Sequence, residues 1–306
     1  MSPCGQCRVA PGGPPANVAT GLLMALRPRQ WVKNVLVVGA PLATIAGDIH
    51  DFRVALCKVG VAIVVFCLAA SSIYLINDVR DVQADRQHPT KRLRPIAAGV
   101  VSPALASSLA IVLAAAALAL GGVTAPGLGL VAAIYLAMQL AYCFGLKNIA
   151  VLDICIVASA YVIRAIACGV AAGVGLSPRF LVVMAFLFLF MAAGKRYAEL
   201  LLAERTGAKI RKALDGYSGA YLRFVWTVSA TAVVMLYGLW AFGQDKHGVS
   251  WFAASTVPLG MTVLRYAVDV DAGVAGEPHE IVLHDHVVQL LVGAWIVMVC
   301  LATVFA

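Results

Sequence analysis

Residues 54–85, VALCKVGVAIVVFCLAASSIYLINDVRDVQAD, join an apolar segment long enough to cross a bilayer to a cluster of carboxylates. Asp78, Asp81 and Asp85 are spaced i, i+3 and i+7, so on a helix they share one face. At a helix C-terminus such carboxylates repel one another and are opposed by the helix dipole. A divalent cation removes both problems, and Mg²⁺ prefers oxygen ligands, keeps waters and binds substrate phosphates. The stretch therefore predicts a Mg²⁺–diphosphate site at a membrane surface, with these three aspartates as metal ligands.

A solvated loop of mixed charge is the alternative interpretation of an isolated Asp-x-x-Asp pair. The pattern here is longer, because it begins at Asn77 and ends at Arg86. A basic run, residues 91–94, follows at once and leads into the next apolar segment. This order favours the site over the solvated loop.

The composition indicates an integral membrane protein. Of 306 residues, 62% are hydrophobic and 12% are charged, about half the charged fraction of a soluble globular domain. Residues 95–146 contain no Asp, Glu, Lys, Arg or His, and this length needs about two membrane spans. The expected fold is an all-α bundle of about nine transmembrane helices with a cytoplasm-facing cavity. The apolar segments fall near residues 20–47, 54–77, 102–121, 126–144, 150–172, 179–194, 218–241, 250–268 and 284–305.

The positive charges predict the orientation. The net charge is +8, and Lys and Arg are concentrated in the loops 78–94 and 195–212. Because cytoplasmic loops carry an excess of Lys and Arg, both loops and the N-terminus are expected in the cytoplasm. This explains the basic balance without a nucleic-acid partner. Residues 1–17, rich in Pro and Gly, are expected to form a disordered cytoplasmic tail, and residues 18–306 a single transmembrane domain.

Three ionisable residues further along the chain each have two interpretations. Lys147 follows an apolar segment and is either a phosphate ligand or an interfacial lysine. Asp153 and Arg164 are eleven residues apart and share one helix face. Intramembrane charges usually face a bundle interior or cavity, so the pair could form a polar cavity wall. For Arg164 we favour the alternative, a structural ion pair or a side chain that snorkels outward.

A second charged group lies at the end of a later apolar segment. Lys195, Arg196 and Glu199 are predicted on the same membrane side as the aspartates. Such a run is usually a solvated face, but its position here favours an anion site. Tyr74 lies one turn before Asp78 and either lines the cavity or packs in the core.

Taken together, these motifs resemble the UbiA-type intramembrane transferase superfamily over nearly the whole chain. The resemblance is greatest to its actinobacterial branch of decaprenyl-phosphate phosphoribosyltransferases. It rests on residues 27–34 (RPRQWVKN), 77–81 (NDVRD) through 95, 142–147 (YCFGLK) with 152–153, and 194–200 (GKRYAEL).

One departure from the superfamily pattern is informative. Prenyl-diphosphate members carry a second Asp-rich motif, whereas residues 194–199 here read GKRYAE, which is cationic with one carboxylate. A cationic segment suits a reaction in which both substrates are phosphate anions.

The resemblance implies an enzyme that transfers the 5-phosphoribosyl group of 5-phosphoribosyl-1-diphosphate (PRPP) to decaprenyl phosphate, releasing diphosphate, for cell-wall arabinan precursors. It further implies a Mg²⁺ cofactor, a plasma-membrane location with a cytoplasmic active site, and a homo-oligomer such as a trimer. Its expected catalytic residues are Asn77, Asp78 and Asp81. Its expected substrate-binding residues are Lys33, Asn34, Tyr74, Asp85, Arg86, Lys91, Tyr142, Lys147, Asp153, Lys195, Arg196 and Glu199.

Two other functions, a prenyltransferase and a transporter or anion channel, are alternatives to phosphoribosyl transfer. A prenyltransferase acting on an aromatic or tetrapyrrole acceptor would need the second aspartate motif, which the sequence lacks. A transporter or anion channel often shows inverted repeats and polar groups along a path. The sequence shows no such internal symmetry, and its polar motifs cluster on one predicted face.

Overall fold

Ten α-helices make up most of the described part of the computed structural model, which covers residues 15, 17–31, 34, 49–88, 91–206, 214, 216–243, 251–272 and 285–305. The helices are α1 (Val18–Leu26), α2 (Ile49–Arg80), α3 (Val82–Gln87), α4 (Pro103–Thr124), α5 (Pro126–Phe144), α6 (Leu152–Ala172), α7 (Pro178–Thr206), α8 (Gly219–Phe242), α9 (Trp251–Asp271) and α10 (His286–Phe305). Within these ranges there is no strand, and 3₁₀ turns cover Pro28–Trp31, Lys91–Leu93 and Leu146–Asn148. Most of the expected tail, residues 1–14 and 16, lies outside the described residues.

The long helices begin and end where local signals place them. Ser102 caps α4 by accepting a hydrogen bond from the Leu105 amide at 3.2 Å, and Pro103 occupies the first helical position. Ser218 caps α8 in the same way, through the Tyr221 amide at 3.1 Å. These caps satisfy amides that would otherwise lack partners at the membrane ends of the helices.

Six of the described helices, α2 and α4 to α8, are long and apolar enough to cross a membrane. The chain is therefore a multi-pass membrane protein, and the all-α fold class is confirmed. The expected number of nine crossings is not confirmed. Helices α9 and α10 coincide with two further predicted segments. Residues 32, 33 and 35–47 of the first predicted segment lie outside the described residues.

Helix α6 joins the two halves of the core. One cluster packs α2, α5 and α6 together around Phe66 and Tyr135, and the other packs α6 to α9 around Phe190 and Tyr237. Outward-facing side chains such as Leu239, 69% exposed, remain apolar, as lipid contact requires. Because α6 belongs to both clusters, residues on it face the centre of the bundle.

The chain direction brings the polar segments to one end of the bundle. Helices α2, α5 and α7 run toward this end, and α4 and α6 run away from it, as the ion pairs described below require. The turns after α2 and α5 and the last part of α7 therefore meet there. This end of the bundle is called the polar end below.

Candidate active site

Asp78 lies near the C-terminus of α2 and is 3% exposed. Its Oδ1 accepts hydrogen bonds from Arg27 Nη2 at 2.6 Å and from Arg94 Nη1 at 3.1 Å. Arg27 ends α1 in the left-handed conformation, with φ 54°, and its guanidinium lies 4.9 Å from the ring centre of Tyr74. The sequence did not predict either arginine as a site residue, although both belong to the segments on which the family resemblance rests.

Asp85 shares a partner with Asp78. Helix α2 ends at Arg80, and Asp81, with φ −90° and ψ 6°, separates it from α3, so Asp85 lies in the first turn of α3. Asp85 is 4% exposed, and its Oδ2 accepts from Arg94 Nη1 at 2.7 Å. The i, i+3, i+7 spacing assumed one continuous helix, but that helix is interrupted at Asp81. Asp78 and Asp85 therefore lie on two helices and are brought together by Arg94, which binds both.

Asp81 has a different partner from the other two aspartates. Lys147 Nζ donates to Asp81 Oδ1 at 2.6 Å and Oδ2 at 2.7 Å, and to Asn77 Oδ1 at 3.3 Å. Lys147 belongs to the 3₁₀ turn after α5 and is 9% exposed. Of its two interpretations, the structure supports membership of the site, since an interfacial lysine would extend toward the headgroups.

A second ionic cluster lies beside the first. Asp153 is fully buried at the start of α6, and its carboxylate accepts from Tyr142 Oη at 2.7 Å and from Nε and Nη2 of Arg196. Arg196 also donates from Nη1 to Glu199 at 2.7 Å. Both contacts with Asp153 use the planar fork of the guanidinium, which is the strong geometry for a carboxylate partner. The structure thus brings together residues from three segments that the sequence analysis treated separately, Tyr142, Asp153 and the pair Arg196 and Glu199.

An unusual turn fixes the start of α6. Val151 has φ 70° and ψ −52°, which a β-branched residue rarely adopts. Its amide donates to Tyr217 Oη at 2.6 Å, and burial raises the pKa of Tyr217. Gly216 makes room for this contact, because a Cβ there would lie 3.0 Å from the Cβ of Ala150. Nothing in the sequence signals the role of Tyr217.

Three expected substrate-binding residues have clear neighbours. Tyr74 packs beneath Arg27 at the polar end. Asn34 is 4% exposed and binds Arg164 and Cys67, deeper in the bundle than the aspartates. Arg86 is exposed, and its Nε donates to the Ala97 carbonyl at 3.1 Å. The structure therefore assigns Arg86 a contact within the loop that follows α3.

The remaining expected residues are less closely defined. Lys91 is exposed in the turn after α3, where its amide donates to His88 Nδ1 at 3.3 Å. Burial is the main cause that lowers the pKa of His88. Lys195 precedes Arg196 on α7 and is partly exposed. Lys33 lies outside the described residues.

The oxygen ligands at the end of α2 fit Mg²⁺. Oxygens of Asp78 and Asp85 bond to the same nitrogen of Arg94, so they cannot be further apart than two hydrogen bonds end to end. Among the described residues no three His, Cys, Asp or Glu side chains enclose a metal by themselves. Mg²⁺ retains waters and takes substrate phosphates as ligands, so one or two carboxylates are enough for it.

The fold and this site define an intramembrane protein with an acidic and basic polar centre at one end of a helix bundle. The model of the UbiA prenyltransferase family matches residues 34–284, and the chain belongs to that family. The resemblance derived from the motifs is thereby confirmed.

The chain is also similar to individual relatives in sequence and to solved structures in fold. A decaprenyl-phosphate phosphoribosyltransferase from Mycobacterium tuberculosis is 61% identical over 95% of this chain and 97% of its own length. One from Corynebacterium glutamicum is 53% identical over 94% of this chain and 88% of its own. A UbiA homolog from Archaeoglobus fulgidus, solved with GPP and Mg²⁺, has a TM-score of 0.68 at 14% identity, covering 92% of this chain and 99% of that one. At that identity the likeness supports the fold alone.

Proposed function

We propose that this chain transfers the 5-phosphoribosyl group of PRPP to decaprenyl phosphate and releases diphosphate. The observation that carries the proposal is the 53–61% identity, over more than nine-tenths of the chain, to decaprenyl-phosphate phosphoribosyltransferases. The site geometry agrees with two anionic substrates, since four buried or half-buried cations converge on the polar end. These cations are Arg27, Arg94, Lys147 and Arg196.

The donor diphosphate would lie against the aspartates at the end of α2. There Asp78, Asp81 and Asp85 would hold Mg²⁺, which makes diphosphate a better leaving group by neutralising its charge. Arg27 and Arg94 have side chains 27% exposed, so they can turn from their carboxylates toward phosphate oxygens when the donor enters. Lys147 contacts Asp81 and can likewise turn from that carboxylate toward a phosphate oxygen.

The acceptor phosphate is already a nucleophile when ionised, so the chain need not supply a general base. As the bond from C1 to the diphosphate oxygen breaks, the acceptor oxygen forms a bond to C1 from the opposite face, and inversion is expected. The protein residues then act by holding two reactants in line and by stabilising the charge that moves to the diphosphate. We assign these tasks to Asn77 and to the three cations that contact the aspartates, Arg27, Arg94 and Lys147.

The orientation belongs to the same proposal. The basic residues 80–94 and 195–205 lie at the polar end, and cytoplasmic ends of membrane proteins carry such an excess. We therefore place the site on the cytoplasmic side of the plasma membrane, where a soluble sugar diphosphate is accessible. The acceptor would reach the site from the bilayer, and a homo-oligomer such as a trimer is compatible with this arrangement.

A label-transfer assay tests the function directly. Purified protein is incubated with ribose-labelled PRPP, Mg²⁺ and decaprenyl phosphate, and label is followed into the lipid phase. Label should appear only when all three are present, and EDTA should prevent it. If no ribose label enters the lipid, and a polyprenyl diphosphate is consumed with an aromatic acceptor instead, the chain is a prenyltransferase and the proposal is wrong.

A further inference from the structure

Arg164 is a buried cation that the proposed reaction does not yet use. It lies within the membrane-spanning helix α6 and is 7% exposed. Its guanidinium donates to Asn34 Oδ1 at 2.7 Å, to the Ala160 carbonyl at 2.7 Å and to Tyr135 Oη at 2.8 Å. These three acceptors are neutral, so they satisfy the donors without balancing the charge.

The other buried cations of the described bundle differ from Arg164 in this respect. Arg196 contacts the carboxylates of Asp153 and Glu199, and Lys147 contacts that of Asp81. A charge inside a membrane is costly unless it is paired, and such residues usually mark a path or site for a charged ligand. The surroundings of Arg164 therefore suit an anion that arrives with a substrate.

Arg164 is linked to the helix α2 that carries Asp78. Its partner Asn34 donates from Nδ2 to Cys67 Sγ at 3.2 Å, and Cys67 lies on α2 eleven residues before Asp78. Arg164 is eleven residues beyond Asp153, about 16 Å along the helix, but its side chain returns toward the polar end, as its bond to Ala160 shows. The guanidinium therefore lies nearer the polar end than the Cα of Arg164 does.

We propose that Arg164, with Asn34 and Tyr135, binds a phosphate monoester while the diphosphate lies at Asp78 and Asp81. This inference rests on the proposed function, whose two substrates each carry such a group: the 5-phosphate of the sugar donor and the phosphate of the lipid acceptor. A guanidinium binds a phosphate through two parallel hydrogen bonds, and the amide of Asn34 and the hydroxyl of Tyr135 can add further donors. Binding would give the buried charge the anion that its protein partners lack.

The test measures binding of each ligand by itself, so it does not depend on turnover. Wild type, Arg164→Met and Arg164→Lys are titrated separately with ribose 5-phosphate, a short polyprenyl phosphate and Mg²⁺–diphosphate. Arg223→Met is the control, because the side chain of Arg223 is 59% exposed and forms an ion pair with Asp271, which is also exposed. Arg164→Met should bind one monoester about ten- to a hundred-fold more weakly and bind diphosphate as the wild type does. Which monoester is affected identifies the substrate.

The unfolding temperature without ligand distinguishes a binding role of Arg164 from a structural role. If Arg164 is held for an anion, Arg164→Met should unfold at the wild-type temperature or above, because it removes an unbalanced charge. Arg164→Lys should keep part of the monoester affinity, because it keeps the charge and loses the fork. Unchanged affinity for both monoesters in Arg164→Met, or equal weakening of all three ligands together with a lower unfolding temperature, overturns the proposal. Label transfer by the wild type, run in parallel, reports separately on the proposed function.

Discussion

The two ionic clusters at the polar end use the same residue types and differ in exposure. In the aspartate cluster, defined by Asp78, Asp81 and Asp85, the side chain of Asp81 is 30% exposed, and those of Arg27 and Arg94 are 27% exposed. In the α6–α7 cluster, defined by Tyr142, Asp153, Arg196 and Glu199, the side chains of Asp153 and Arg196 are 0% and 6% exposed. The aspartate cluster reaches solvent through Asp81 and the two arginines, although Asp78 and Asp85 are buried. In the α6–α7 cluster the Asp153–Arg196 pair is sealed, and Glu199, 32% exposed, lies at its edge.

This difference in exposure indicates which cluster binds a substrate and which one holds part of the backbone in position. Partners in the aspartate cluster can exchange at small cost, because water screens the charges while they move. Breaking a sealed pair leaves one buried charge without compensation, which costs far more than the pair contributes. We therefore expect the aspartate cluster to bind the donor, and the α6–α7 cluster to hold the start of α6 in place. The sequence predicted the three aspartates as metal ligands, and it grouped the residues of the α6–α7 cluster as substrate-binding.

The largest expected effect falls on turnover when the aspartate cluster is changed. Asp78→Asn or Asp81→Asn should abolish label transfer, because each removes a charged oxygen ligand for the metal while keeping the shape of the side chain. Both variants should remain folded in detergent, because the arginine partners of Asp78 have side chains 27% exposed and the side chain of Asp81 is itself 30% exposed. Removing Mg²⁺ from the wild type should reproduce the loss. Asp271→Asn, at a residue 62% exposed, is the control and should transfer normally. Near-normal turnover in both variants would contradict the metal assignment.

The next effect falls on stability, and it tests whether the second cluster is sealed. Arg196→Gln should lower the free energy of unfolding by about 3–5 kcal/mol, because it leaves Asp153 charged and buried. Lys147→Gln should cost clearly less, because Asp81 can be hydrated. Adding Asp153→Asn to Arg196→Gln should recover part of the loss, since no buried charge then remains. Unfolding in detergent with denaturant measures all three, and equal losses in the two single variants would remove the distinction between the clusters.

Much of the fold could be predicted from the sequence because length and polarity determine which segments cross a membrane. Each predicted segment from residue 54 onward coincides with a described helix. The aspartate motif was also recognisable, because its residues are close together in the chain. Their partners were not, since Arg27 and Asp78 are 51 positions apart and Lys147 and Asp81 are 66 apart. Such pairs depend on how helices pack, which local spacing does not encode.

The orientation of Arg164 also depends on helix packing, which local spacing does not encode. The sequence favoured a structural ion pair or an outward-snorkelling side chain for it, because either would reduce the cost of an intramembrane charge. The structure instead directs it inward to Asn34 and Tyr135, both neutral. Its orientation depends on the rotation of α6 against α2 and α5, and the shared face with Asp153 indicated only that both could face the interior.

The smallest effect concerns the turn that begins α6 and links the sealed cluster to Tyr217. Tyr217→Phe removes the acceptor of the Val151 amide, and an unsatisfied amide costs about 1–3 kcal/mol. The turn should then relax, and Asp153, two residues on, should move slightly, so we expect a several-fold loss of turnover. Tyr221→Phe is the matched control, because Tyr221 stacks on Tyr217 but is 39% exposed.

A second substitution should reverse this loss if backbone strain is its cause. Val151 is 43% exposed, so Val151→Gly removes little packing, and glycine adopts φ 70° without steric cost. In the Tyr217→Phe background, Val151→Gly should therefore restore turnover toward the wild type, while KM for PRPP changes little. Turnover and unfolding are measured for both single variants and the double variant. A double variant no better than Tyr217→Phe would show that the hydroxyl acts through something other than the turn, and the position of Asp153 would then depend on Arg196 and Tyr142.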